Sequence, residues 1–184
     1  MELYLKNKRA LVTGASRGLG FATARTLAQE GAQVMINSRD AQRLQAAVDR
    51  LNNETGAKVY GHAADVSNAS AAAELVNVTA ETLGGLDVLV CNAGGPPPGE
   101  FENFGEADWQ RAFELSFMSN VHLIKAALPF LRKSEVASVL TITSVSVKQP
   151  IPNLILSNAI RSATIGLTKS LALDLGKEGI RFNS

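Results

Sequence analysis

The chain has 184 residues, enough for one domain over 1–184 with a sizeable core, and 18 basic against 17 acidic residues leave a net charge of +1. No overall field draws it to nucleic acid or to an anionic membrane surface, and no uninterrupted apolar stretch reaches bilayer-spanning length. The opening residues lack the apolar core of a secretory leader, and the single cysteine, Cys91, excludes an intramolecular disulfide, so a soluble cytoplasmic protein is expected.

Along the chain, apolar runs alternate with segments of helical period. The pattern predicts strands over 9–13, 33–37, 58–63, 86–91 and 137–143, with another from Ile180, and helices over 18–30, 40–55, 68–83, 106–133 and 153–176. Asp40 and Asn68 read as N-caps; Gly31, Gly56, Gly84 and Gly176 read as helix ends. Strands apolar on both faces and separated by helices specify a parallel sheet covered on both sides, and right-handed crossovers make it a doubly wound α/β sheet. The ligand crevice of such a sheet lies at the carboxyl ends of its strands.

The first of those ends carries Thr13-Gly14-Ala15-Ser16-Arg17-Gly18-Leu19-Gly20, between a strand and an amphipathic helix. Glycine allows the tight turn and leaves no Cβ to hold an anion away. The helix start offers free N–H groups and a partial positive charge, so the segment reads as a cradle for a pyrophosphate. Ser38-Arg39, Asp65-Val66, Asn92-Ala93-Gly94 and the stretch from Ser144 follow at later strand ends and are expected around the same site. Gly94-Gly95-Pro96-Pro97-Pro98-Gly99 reads as an irregular loop stiffened by proline.

The ordered set Thr13-Gly14-x-x-x-Gly18-x-Gly20, Asp65-Val66, Asn92-Ala93-Gly94 and Gly179-Ile180-Arg181-Phe182-Asn183 resembles the short-chain dehydrogenase/reductase family, including its 3-oxoacyl-carrier-protein reductase type. The likeness runs from about Lys6 to the last residue. It implies a Rossmann-like sheet flanked by helices on both faces and hydride exchange between a nicotinamide cofactor and a carbonyl or hydroxyl substrate. By the same resemblance, Gly14, Ser16, Gly18, Leu19 and Gly20 would line the cofactor phosphates. Asp65 would face the adenine amino group, with Val66 adding its backbone, and Asn92 and Gly94 would hold the ribose side. The long helices 106–133 and 153–176 match those that form the family's dimer interface, which implies a homodimer or homotetramer.

Cofactor choice also has a chemical reading. An NAD-preferring site offers a carboxylate to the ribose hydroxyls after the second strand. This chain has Ser38 and Arg39 there, with Arg17 in the glycine loop, a combination suited to the 2′-phosphate of NADP; NAD is the alternative.

The catalytic pattern departs from the family. There a serine is followed by a tyrosine thirteen residues on and a lysine four later, with an asparagine in the preceding helix; lysine lowers the pKa of a phenol that acts as general acid or base. Here the serine matches Ser144, whereas Ser157 and Arg161 occupy the tyrosine and lysine positions and Ser116 the asparagine position. Arg161 stays protonated and cannot deliver a proton, but it can stabilise an oxyanion or clamp a carboxylate or phosphate. The reading is a polar, anion-friendly site in which Ser144 orients the substrate oxygen, Arg161 stabilises charge and water or Ser157 relays the proton. A catalytically silent nucleotide-binding module is the competing reading. The chain also stops at about the family's last-but-one strand, so a sheet lacking the final strand and helix is expected.

Other residues have plainer readings. His62 and His122 lack ligand-spaced partners, and no metal site is expected. Cys91 reads as a small core residue, Trp109 and Phe113 as packing, and the charges of 40–54 as a solvated helix face.

Overall fold

The computed structural model describes residues 3–184. Six strands, β1 (Arg9–Val12), β2 (Gln33–Ser38), β3 (Val59–Ala63), β4 (Val88–Cys91), β5 (Ser138–Thr141) and β6 (Arg181–Asn183), form one sheet in the order β3-β2-β1-β4-β5-β6. Every neighbouring pair is parallel, and Leu11 stands beside Met35 on one side and Leu89 on the other. Strand order therefore reverses between β1 and β4, and this switch point fixes where a ligand crevice opens.

Six helices cover the sheet: α1 (Gly18–Gln29), α2 (Ala41–Thr55), α3 (Ala69–Leu83), α4 (Glu106–Phe113), α5 (Ser119–Leu131) and α6 (Ile155–Leu175). Strand side chains alternate between two cores. Ala10, Val12, Val34 and Ile36 pack with Phe21 and Ala24 of α1 and Leu44 and Leu51 of α2. Leu11, Met35, Leu89 and Val139 pack with Leu75 of α3 and Leu123, Ala127 and Leu131 of α5. Both faces are buried, as the continuous apolar strands require. Cys91 lies in the second core, where burial pushes its thiol up to about 12. No helix among the described residues is long and apolar enough to cross a membrane.

Local rules place most boundaries. The Asp40 and Asn68 side chains accept from Arg43 N–H and Ala71 N–H and start α2 and α3. Gly56 and Gly84 close those helices in the left-handed conformation, and Gly31, at φ +84°, follows the end of α1. Three expectations are corrected. Gly176 keeps right-handed angles, the chain tightens into a 3₁₀ turn (Gly176–Glu178), and Gly179 at φ +80° ends it. The last long helix begins at Ile155 rather than at Asn153, because Asn153 has φ +63°. The helix expected over 106–133 is broken by a π-turn (Glu114–Met118) between α4 and α5, where Ser119 N–H reaches back to the Glu114 carbonyl. Around this break Trp109 packs edge-on against Phe101 and Phe113 stacks on Phe117.

The opposite end of the sheet is fastened by charge. Asp87 accepts from Arg9 Nε at 2.8 Å and Nη2 at 2.7 Å, from Arg9 N–H at 2.9 Å and from Ser134 Oγ at 2.6 Å. Burial alone would raise this carboxyl's pKa, but the Arg9 and Ser134 bonds outweigh it and hold the group far below the usual carboxylate range.

Candidate functional site

The crevice is built where β1 and β4 end side by side. Asn92 N–H donates to Thr13 Oγ1 at 3.0 Å, and Thr13 Oγ1 donates back to the Asn92 carbonyl at 2.8 Å. The Asn92 amide then reaches under the glycine loop, donating to the carbonyls of Gly14 (3.0 Å) and Thr13 (3.3 Å). This approach leaves no room for side chains: a Cβ on Gly14 would lie 2.6 Å from the Asn92 carbonyl oxygen, and one on Gly20 2.6 Å from the Gly14 oxygen. Before Gly18, by contrast, there is open space.

That open side faces the start of α1. Arg17, the residue before the helix, makes no side-chain cap, and the first turn carries no acid. The leading amides of α1 are thus free for an anion, and the bare backbone lets it come close. A dinucleotide pyrophosphate fits this cradle on both counts.

The crevice runs from there over the end of β2 and has a volume of about 340 Å³. Gly14, Ser16, Arg17 and Gly18 line one wall; Ser38, Arg39, Asp65 and Val66 the far end; Asn92, Ala93 and Gly94 the floor. The Leu19 side chain is exposed beside the loop, and Gly20 is buried behind it. Asp65 is fixed at the rim, with Oδ1 accepting from Ser67 Oγ (2.7 Å) and Ser67 N–H (3.1 Å), and Oδ2 lying 3.8 Å from Arg39 Nη1. Partial burial would raise its pKa, but the Ser67 bonds and the Arg39 charge hold it below the ordinary value.

Four lining residues, Asn37, Arg43, Ala64 and Leu115, are absent from the sequence reading of the site, and two of them shape it. Leu115, just inside the π-turn, closes the crevice near Gly94, and Arg43 adds a third guanidinium beside Arg17 and Arg39. Arg43 pairs with Asp40 at 3.2 Å in an exposed ion pair, and both side chains line the crevice. The signal for Arg43 was its place three residues after the cap Asp40, in the first turn of α2.

The other half of the site follows β5. The Ser144 Oγ accepts from Ser146 N–H at 3.1 Å, which leaves the Ser144 proton free to be donated outward. Arg161, in the second turn of α6, donates from Nη1 to the carbonyls of Ile142 (3.2 Å) and Thr143 (3.5 Å), the two residues before Ser144. Burial lowers its pKa from the ordinary arginine value, and its Nη2 would lie 3.5 Å from a Cβ on Gly95. Ser157 is partly buried one turn earlier on the same helix face as Arg161. Ser116 lies within the π-turn, where its carbonyl accepts from Asn120 Nδ2 (2.8 Å) and Thr164 Oγ1 (3.1 Å) while its buried hydroxyl has no partner. The structure thus brings Ser144 and Arg161 to one strand end, and places Ser116 against α6 three residues beyond Arg161, through Thr164. No phenol belongs to the site: Tyr60 lies in β3 and Tyr4 is exposed near the chain start.

Comparison with known proteins gives this geometry a context. Residues 8–184 match the family described as short chain dehydrogenase. Dehydrogenase/reductase SDR family member 4 of Bos taurus is 36% identical over 180 residues, a match that covers 97% of this chain and 64% of that relative. The chain therefore spans less than two-thirds of that relative's length. L-sorbose reductase of Gluconobacter frateurii, solved with NADPH and L-sorbose, superposes with a TM-score of 0.95 at 30% identity, covering all of this chain and 70% of that one. A short chain oxidoreductase of Pseudomonas aeruginosa, solved with NADPH and described as containing an atypical catalytic center, superposes with a TM-score of 0.92 at 30% identity over 97% of this chain and 70% of its own. This chain belongs to the short-chain dehydrogenase family.

Proposed function

We propose that the protein is an NADP-dependent oxidoreductase of the short-chain type, acting on a small carbonyl or alcohol substrate. The observation that carries this reading is the uncapped start of α1 behind Gly14 and Gly20, continuous with a corner formed by Arg17, Arg39, Arg43 and Ser38. The first feature suits a pyrophosphate and the second a 2′-phosphate. The NADPH-bound relatives named above support the same choice.

The glycine cradle and the arginine corner would hold NADPH, which would supply the hydride for the substrate carbonyl carbon. The chain's own groups act on the substrate oxygen. Ser144 donates its free proton as a hydrogen bond and fixes the oxygen; Arg161 adds positive charge where negative charge develops. The oxygen then takes a proton from water or through the Ser157 hydroxyl. Without a phenol, this last step lacks a strong general acid, which typically costs about 10²–10⁴-fold in rate.

That deficit favours one other reading, a nucleotide-binding module without turnover. Calorimetric titration with NADPH and NADH, followed by assay of NADPH oxidation with ketone and aldehyde substrates, separates them. Binding with substrate-dependent oxidation supports the enzyme; binding without oxidation by any carbonyl compound supports the module. Absence of binding by either NADPH or NADH refutes both.

Association as a homodimer or homotetramer is supported by α6, whose 21 residues include only three buried ones and where Leu173 is 82% exposed. A cytoplasmic location agrees with the lone, buried Cys91. Sedimentation showing only monomer across micromolar concentrations would refute the assembly.

A further inference from the structure

Arg161 is a partly buried cation whose partners are neutral. Its guanidinium meets the carbonyls of Ile142 and Thr143, and among the described residues no carboxylate forms an ion pair with it. Withdrawing a cation from water without an opposite charge is unfavourable, and proteins ordinarily pair such groups. Seven other arginines (Arg9, Arg25, Arg39, Arg43, Arg50, Arg111 and Arg132) have a carboxylate within ion-pair distance, and the two that have none among the described residues, Arg17 and Arg181, are exposed to water. Arg161 differs from them in facing the site beside Ser144.

We propose that Arg161 clamps a carboxylate carried by the substrate itself, so that the substrate is a small oxo acid, or the matching hydroxy acid. This rests on the oxidoreductase reading above and narrows its substrate class; Ser144 then holds the carbonyl oxygen, and the Arg161 charge is directed at the adjacent carboxylate instead of that oxygen. Nη1 is taken by the strand-end carbonyls, which fixes the guanidinium's orientation and leaves its Nη2–Nε edge as the fork offered to a ligand, with Nη2 facing Gly95, which has no side chain to block it. The loop around Gly95 is itself stiff. Pro96, Pro97 and Pro98 restrict its backbone, and Gly99 N–H anchors it to the Asn153 carbonyl at 2.8 Å. A preformed fork suits a planar, bidentate acceptor.

Charge and reach narrow the ligand further. One guanidinium flanked by neutral hydroxyls balances one negative charge, as on a carboxylate, and would leave a phosphate dianion in excess. The cofactor's pyrophosphate is not what Arg161 faces, because Arg161 does not line the crevice that holds the glycine cradle. The clamp is tied to the two residues before Ser144, so the acid group and the carbonyl held by Ser144 must be close neighbours in the substrate. A 2-oxo or 3-oxo acid meets that condition.

The test uses ligand-observed NMR titration of the purified protein, with and without NADPH, with 3-oxobutanoate and its neutral methyl ester. The acid is expected to bind at least about tenfold tighter than the ester. Arg161→Gln should abolish the preference, and Arg161→Lys should retain part of it and serves where the glutamine variant does not fold. Equal binding of acid and ester, no saturable acid binding, or a preference that survives in Arg161→Gln overturns the clamp. Tighter binding of (2-oxopropyl)phosphonate than of the acid overturns the choice of carboxylate. The parent reading fails separately: acid preference with no NADPH binding keeps the clamp and removes the oxidoreductase. NADPH oxidation by neutral ketones with no acid preference does the reverse.

Discussion

Thr13 and Asn92 each donate to the other across the switch point of the sheet, one through its hydroxyl and the other through its backbone N–H, at 2.8 and 3.0 Å. The two residues stand 79 positions apart in the chain, yet their bonds set how closely the glycine loop approaches β4. Thr13→Val preserves shape and removes both bonds, leaving polar backbone of Asn92 unpaired in a largely buried setting. We expect a loss of about 2–4 kcal/mol in urea unfolding, with the slope of the transition unchanged, and weaker NADPH binding. A midpoint within error of the parent would show that the pair holds nothing.

How the sequence foretold this site depends on the range of the forces involved. Strand and helix positions, the caps Asp40 and Asn68 and the glycine cradle follow from interactions within a few residues, and they were legible. The break at Ser116 was not. Its carbonyl is taken by Thr164, 48 residues away, and nothing near Ser116 announces that partner. Arg43 was legible only as one more charge on a solvated helix; its role emerges because the end of β2 delivers the first turn of α2 to the crevice. Ser144 and Arg161 were legible only through the resemblance to the family's catalytic pattern, and their meeting at one strand end required the α6–β5 packing.

The corner of Arg17, Arg39 and Arg43 bears on cofactor choice. Arg39 and Arg43 are already weakly engaged, by Asp65 at 3.8 Å and Asp40 at 3.2 Å, and both are largely exposed. Replacing either by alanine should weaken NADPH binding by about 1–2 kcal/mol, roughly five- to thirtyfold, while NADH binding changes little. Paired calorimetric titrations read the difference. Equal losses for the two cofactors would mean that the guanidiniums act on the shared part of the molecule and that no 2′-phosphate pocket is present.

At the far end of the sheet, Asp87 makes stability depend on pH. Its folded pKa lies far below that of the unfolded chain, so the native state binds fewer protons through the acid range. The stabilisation is complete above the unfolded value near 4 and drains away as pH falls below it. Asp87→Asn, which strands the Arg9 guanidinium, should cost roughly 3 kcal/mol at neutral pH and flatten the loss of stability between about pH 4 and 2. Denaturation curves at several pH values decide this. A variant that keeps the parent's full acid dependence would move its origin to other carboxylates.

The sharpest test of the substrate half concerns Ser157. It lies one turn before Arg161 on the same helix face, so a phenol at this position would meet a positive charge that is already in place. That charge favours the phenolate and draws the phenol's pKa down from its usual value of about 10 toward the working range. Ser157→Tyr should therefore supply the missing general acid, raising NADPH oxidation with a carbonyl substrate by about 10²–10⁴-fold. The variant's rate should fall as pH rises through the phenol's pKa, because only the protonated form donates to the substrate oxygen. Adding Arg161→Lys should change the rate by less than about tenfold, since it alters the shape of the cation and not its sign. Steady-state rates across pH with NADPH saturating read both effects. If Ser157→Tyr binds NADPH normally and gains no turnover, position 157 does not face the reacting carbonyl, and the site built on Ser144 and Arg161 must be abandoned.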